Sequence, residues 1–360
     1  MDTRATILEI PRLLRETLEK GVRDYEELIR RVRWGEAPIY ICACGPSLPA
    51  GMAGAYLFEW LAGLPALARS AQVFEAYAVS TLRPRAVLLV ISASGEDPDA
   101  LEIVRLARSR GALPLALTRS ADSPLAKACE GVFLTRDEGP EDSAAAAVCQ
   151  LAALSRMALI AARLLKRPGT GLELLEDELK QLPAQLEWSF TQLSDALRSL
   201  GQELRALDRF WLAGGGLYHP VVVRAARHLS AFGGIHGEGI EMSQFFSGLL
   251  SHLRQGEVVM FVSGARVRIK RLVHQAAAQI KVKGARLISL TDNNDRELID
   301  RSQMAILVPA LSEVGGSMLA LALLELLATS GSRGLERKRS GKPSPGPVEE
   351  SIKRPSDRDG

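Results

Sequence analysis

The sequence predicts an α/β protein: two doubly wound parallel-sheet domains in tandem, joined by a helical linker. Three observations carry this. Short apolar runs of strand length alternate with longer segments whose apolar residues recur at helical spacing, the pattern of a parallel sheet with helices on both faces. The alternation occurs twice, and a chain of 360 residues that is 47% hydrophobic has enough apolar material for two cores. Between the two runs, residues 169–206 are rich in Leu, Glu and Gln at helical spacing and contain no strand pattern.

Residues 1–35 form an N-terminal helical segment. The first domain, 36–168, opens with the strand PIYICAC (38–44), a GPSLP turn and a helix over 50–62. It continues with strand AVLLVI (86–91), helix 98–110, strand LPLALT (113–118), a short helix near 124–129, strand GVFLT (131–135) and an Ala-rich helix over 143–165. After the linker, the second domain, 207–330, reads strand 209–213, a GGG turn, helix 220–231, strand 257–263, helix 266–283, strands 286–291 and 304–309, and helix 314–329. Residues 331–360 lack apolar periodicity and are expected to be a disordered charged tail.

Charge and composition exclude several function classes. The tail holds eight Lys/Arg against five Asp/Glu, which accounts for the whole net charge of +3. The folded body is therefore neutral and predicts no nucleic-acid partner. Cys42, Cys44, Cys129 and Cys149 include no CxxC pair and no nearby histidine cluster. They read as buried thiols in a reducing compartment, with no metal site and no cofactor implied. The N-terminus has no long apolar stretch of signal-peptide type, and SMLALALLELLA (317–328) is short and carries Glu325. The expectation is a cytoplasmic protein with no membrane partner.

One loop points to a ligand. In ISASGEDPDALE (91–102) a strand empties into two serines and a glycine before a helix that Asp97 can cap and Pro98 can begin. Ser92, Ser94 and the N–H groups of Ser94 and Gly95 then face the carboxyl edge of the sheet. Parallel sheets bind ligands at that edge, and a loop of hydroxyls and free N–H groups before a helix suits phosphate. A polar turn without a ligand fits this stretch alone equally well.

Taken together, the strand–CGPS turn (44–47), the strand–SASGE turn (92–96), ALTRSADSPLAKACEGVFLT (116–135) and the repeated half resemble the double sugar-isomerase (SIS) domain family. The likeness is to the isomerase half of the glutamine:fructose-6-phosphate aminotransferases and covers about residues 4–337. It implies two flavodoxin-like domains, a sugar-phosphate ligand and a homodimer. Carried over residue by residue, it makes Ser47, Ser92, Ser94, Gly95 and Ser143 the phosphate-binding set. Four residues depart from it. Pro46 and Asp97 replace family threonines, and Ala144 and Ala145 follow Ser143 where the family has threonine and lysine.

The same resemblance makes the chemistry residues the point of greatest departure. Aligned on Ile235-His236-Gly237-Glu238, the family's proton-transferring glutamate is Ala231 here, its ring-opening histidine is Ser247, and a nearby lysine is His228. A C-terminal lysine corresponds to Arg337. Substitute catalysts could come from His228, His236, Glu238 or Glu241, with Arg337 at most supplying charge. The resemblance places His236 and Glu238 at a domain contact, which favours a structural role for both, and His228 reads more readily as a surface or packing residue than as a catalyst. Met1-Asp2 lacks the N-terminal cysteine of a glutaminase, so glutamine use is not expected. Two functions remain open: a sugar-phosphate-binding protein without the usual isomerase acid and base, or a phosphosugar isomerase, deaminase or deglycase with relocated catalytic residues.

Overall fold

A computed structural model describes residues 4–330 except 21, 33, 36, 168–170 and 208. The tail and Arg337 lie outside the described residues. The first sheet contains β1 (Ile39–Ala43), β2 (Ala66–Ser70), β3 (Val87–Ile91), β4 (Leu113–Thr118) and β5 (Gly131–Leu134). Its order is β2-β1-β3-β4-β5, and every pair is parallel. The second sheet contains β6 (Phe210–Gly214), β7 (Gly237–Glu241), β8 (Val258–Val262), β9 (Arg286–Asp292) and β10 (Met304–Val308). Its order, β10-β9-β8-β6-β7, is the same arrangement repeated, again all parallel. Both are the flavodoxin-type winding, which reverses direction between β1 and β3 and between β6 and β8 and opens a crevice at each reversal.

Two strands escaped the sequence reading, β2 and β7. The central strands IYICA, VLLVI, FWLAG and VVMFV are buried at every position and show as continuous apolar runs. ALARS and GEGIE are outer strands of their sheets, half solvated, and carry no such run. β7 depends instead on close approach. A Cβ at Gly239 would collide with the Val222 backbone of the helix that covers it. Helices Ala71–Tyr77 and Arg296–Arg301 were also unforeseen.

The halves meet through apolar helices. Helix Ala144–Leu164 is buried along almost its whole length and packs against Leu48–Leu57, Ile10–Glu19 and the last helix, Glu313–Ser330. Among the described residues it is the helix long and apolar enough to cross a membrane, and it lies wholly inside the fold. The segment between the halves is one 33-residue helix, Leu172–Leu204, with Pro183 inside it, and it packs along Glu313–Ser330. Cys42 and Cys44 are free and share a core with Phe74, where burial pushes the Cys42 thiol up to about 12.

Candidate functional site

The site forms at the carboxyl edge of β3. Asp97 caps helix Pro98–Ser109, accepting from the N–H groups of Asp99 at 2.9 Å and Ala100 at 3.4 Å. That use turns the carboxylate into the helix and away from the loop. Gly95 adopts φ 71°, and a Cβ there would collide with the Ser123 side chain, so the tight turn requires glycine. The Gly95 N–H faces inward, donating to the Ser92 hydroxyl at 3.2 Å. This corrects the expectation that it points into the crevice.

The remaining donors converge on an unexpected acceptor. One oxygen of Glu141 accepts from the Ser94 N–H at 3.1 Å, from the Ser94 hydroxyl in a short contact, and from the Ser92 hydroxyl at 3.4 Å. Glu141 stands on the loop between β5 and helix Ala144–Leu164, two residues before that helix's N-cap, and is partly exposed. Its carboxylate holds the donors that the sequence assigned to a phosphate. The sequence signal was there but generic: an acidic residue just ahead of a helix N-terminus is electrostatically favoured wherever it points.

Ser47 and Ser143 stand at the same edge with partners of their own. Ser47 is buried after β1, next to β3 in the sheet, and its hydroxyl accepts from the Gln150 amide at 3.0 Å. The Ser143 hydroxyl caps helix Ala144–Leu164 by accepting from the Ala146 N–H at 3.0 Å. Ser92, Ser94 and Gly95 thus form one cradle, and Ser47 and Ser143 brace its neighbours.

Asp142, between Glu141 and Ser143, ties this edge to the second half. Its carboxylate accepts from Arg224 at 3.1 Å, contacts His228 Nε2 at 3.0 Å and pairs with Arg227. Arg224 also donates to the Asp142 and Ser143 carbonyls at 3.1 and 2.8 Å and to Glu325 at 2.7 Å. The other His228 ring nitrogen contacts Glu325. His228 is 1% exposed, so of the two readings, surface or packing residue, it is packing that the structure shows. Arg224 and His228, one turn apart on helix Tyr218–His228, face Glu313–Ser330 and the 141–143 segment instead of solvent. Burial opposes charge on His228, but hydrogen bonds to Asp142 and Glu325 outweigh it and raise its pKa. Both nitrogens are engaged inside a domain contact, so the ring has no open face for substrate.

The other catalytic candidates are scattered. Glu238 and His236 are exposed. Glu241 caps the turn after β7, accepting from the Ser243 and Gln244 N–H groups at 2.7 and 3.3 Å. Ala231 and Ser247 are exposed, and the Ser247 hydroxyl donates to the Ser243 carbonyl at 2.8 Å. His219 went unremarked in the sequence; its Nδ1 is buried without a hydrogen-bond partner, and burial lowers its pKa. Among the described residues no group of three or more His, Cys, Asp or Glu is placed to hold a metal ion.

The SIS domain model matches residues 35–162 and 204–330. The chain belongs to the SIS-domain family. This SIS protein is 29% identical over 341 residues to the isomerizing glutamine–fructose-6-phosphate aminotransferase of Gloeobacter violaceus, covering 92% of this chain and 56% of that protein. It is 28% identical over 329 residues to the enzyme of the same name from Thermococcus kodakarensis, covering 89% and 53%. The SIS protein thus spans about half the length of the curated relatives it matches. Its fold is that of the C-terminal domain of glucosamine-fructose-6-phosphate aminotransferase from Francisella tularensis, with a TM-score of 0.81 at 22% identity over 91% and 94% of the two chains. The tagatose-6-phosphate ketose/aldose isomerase of Escherichia coli is similar at a TM-score of 0.71 and 16% identity, covering 91% of each chain.

Proposed function

We propose that this SIS protein binds a sugar phosphate at the carboxyl edge of β3 and has lost the acid and base of the related isomerases. The observation that carries the reading is the convergence of two serine hydroxyls and one backbone N–H on a single carboxylate oxygen of Glu141. A loop that gathers those donors onto an oxyanion is an anion receptor by construction. Ser92 and Ser94 form the receptor on the turn that Gly95 makes, Ser47 and Ser143 complete its wall, and the sugar extends into the crevice between β1 and β3. The loss of chemistry rests on Ala231 and Ser247, which offer no acid–base pair, and on His228, whose nitrogens are both taken. Neither Glu238 nor Glu241 is paired with His228. We further propose a homodimer as the working unit, which light scattering would register as twice the 38.9 kDa chain mass.

Titration calorimetry with glucose 6-phosphate, fructose 6-phosphate and their unphosphorylated sugars tests this. Binding of at least one phosphate ester, weakened several-fold or more by Ser94→Ala, is expected, because a hydrogen bond to a charged group contributes roughly 1.5–3 kcal/mol. Identical affinities for wild type and Ser94→Ala would remove the site. Hexose-phosphate isomerisation at an enzyme-like rate, abolished by Glu241→Gln, would favour the relocated-catalyst reading instead.

A further inference from the structure

We infer that Glu141 is an internal occupant of the anion cradle, which a phosphate ligand must displace in order to bind. The inference rests on the sugar-phosphate reading and adds the group that controls entry to the site. The three donors that face the crevice, the Ser92 hydroxyl, the Ser94 hydroxyl and the Ser94 N–H, all end on Glu141 Oε1. A phosphate cannot use them while the carboxylate is there. Nor can it share the space, since two anions in contact repel and these donors are neutral.

The occupant is built to leave. Glu141 is partly exposed, and the loop that carries it, after β5, passes through Gly139 at φ 95° and Pro140. A rotation about its side-chain bonds carries the carboxylate to water, where solvent replaces the lost hydrogen bonds. The backbone on either side is anchored, by Arg119 to the Gly139 carbonyl and by Asp142 to Arg224 and His228. Displacement is therefore a side-chain event that leaves the contact between the halves in place. A phosphate monoester brings three terminal oxygens and more charge to donors that a carboxylate engages with one oxygen, so it prevails at sufficient concentration. In its absence Glu141 keeps the cradle satisfied and lowers its apparent affinity for phosphate esters. A carboxylate ligand has no such advantage over Glu141, and the device therefore discriminates against carboxylates.

The test measures binding of inorganic phosphate and of glucose 6-phosphate to the wild type, Glu141→Ala, Glu141→Gln and the double variant Glu141→Ala with Ser94→Ala. It also follows amide exchange at Ser94. Glu141→Ala is expected to bind both ligands about tenfold or more tightly than wild type, the scale of one charge-assisted hydrogen bond. Glu141→Gln, which keeps the shape without the charge, should fall between, and the double variant should lose the gain. The Ser94 amide should exchange faster in Glu141→Ala and be protected again by inorganic phosphate. Equal or weaker binding by Glu141→Ala, or an unchanged Ser94 amide, overturns the inference while leaving the sugar-phosphate reading intact wherever wild type binds. Tighter inorganic phosphate with no binding of any sugar phosphate would uphold the inference and sink the reading. No binding of either ligand by any variant would sink both.

Discussion

The two halves share a winding and differ in how each fills its crevice. In the first, the loop before helix Ala144–Leu164 sends Glu141 onto the β3 loop, partly exposed and held by two hydroxyls and one N–H. In the second, the helix at the corresponding place begins with Glu313. Its carboxylate accepts from the Leu217 N–H after β6 at 3.0 Å and the Arg268 N–H after β8 at 3.1 Å. Glu313 is 3% exposed, burial raises its pKa, and Gly216 at φ 58° leaves no room beside it for a Cβ. Identical topology thus gathers donors at both edges. Whether an edge is a site or a seal depends on whether its carboxylate can reach water: Glu141 can leave, whereas Glu313, itself buried, would abandon the buried Leu217 N–H and the partly buried Arg268 N–H.

The largest effect should come from breaking the joint between the halves. Arg224→Ala leaves Glu325, 1% exposed, without its main cationic partner, and an uncompensated buried charge costs about 3–5 kcal/mol. Chemical denaturation should show the loss. Arg224→Ala also removes the bonds to Asp142 and Ser143 that join the halves, so a variant within ~0.5 kcal/mol of wild type would mean that Arg224 does not hold them together.

Next in size is the seal itself. Glu313→Ala strands the buried Leu217 N–H, at about 1–3 kcal/mol, and leaves the partly buried Arg268 N–H to water. Melting temperature should drop with little change in sugar-phosphate affinity. The reverse pattern, a stable protein with altered affinity, would make the second crevice a ligand site and erase the contrast.

The pH profile sharpens the joint further. Because the folded-state pKa of His228 is raised, its contribution is complete below the ordinary histidine value of about 6.5 and is lost as pH rises through the higher folded value. For Asp142 burial acts upward, but His228, Arg224 and Arg227 prevail and lower its pKa. Its contribution is present above the ordinary aspartate value and is lost as pH falls through the depressed one. Stability should therefore crest between the two, and His228→Gln should remove the decline on its alkaline side. An unaltered alkaline slope in that variant would exclude His228 as its source.

The smallest expected change separates the two carboxylates directly. Glu141→Ala should shift unfolding free energy by no more than about 0.5 kcal/mol, as for a partly exposed side chain whose closest partner, the half-buried Ser94, water can reach. A loss comparable to that of Glu313→Ala would make Glu141 a seal as well.

Much of this molecule is local and was legible. PIYICAC, AVLLVI and EVVMFVS announce central strands because a strand buried on both faces must be apolar throughout. Asp97-Pro98 marks a helix start because the cap and the missing N–H act within one turn. SASG marks a donor-rich turn for the same reason. The outer strands ALARS and GEGIE were hidden because half-solvated strands relax that apolar requirement. The occupant of the cradle was hidden because Glu141 meets Ser94 across 47 residues of chain, and His228 meets Asp142 across 86. The sequence by itself determined where the donors stand, since neighbouring residues set turns and caps. Only the tertiary structure decided which carboxylate each donor holds and which of the two can let go, because hydrogen-bond partners and access to water are settled by packing between segments far apart in the chain.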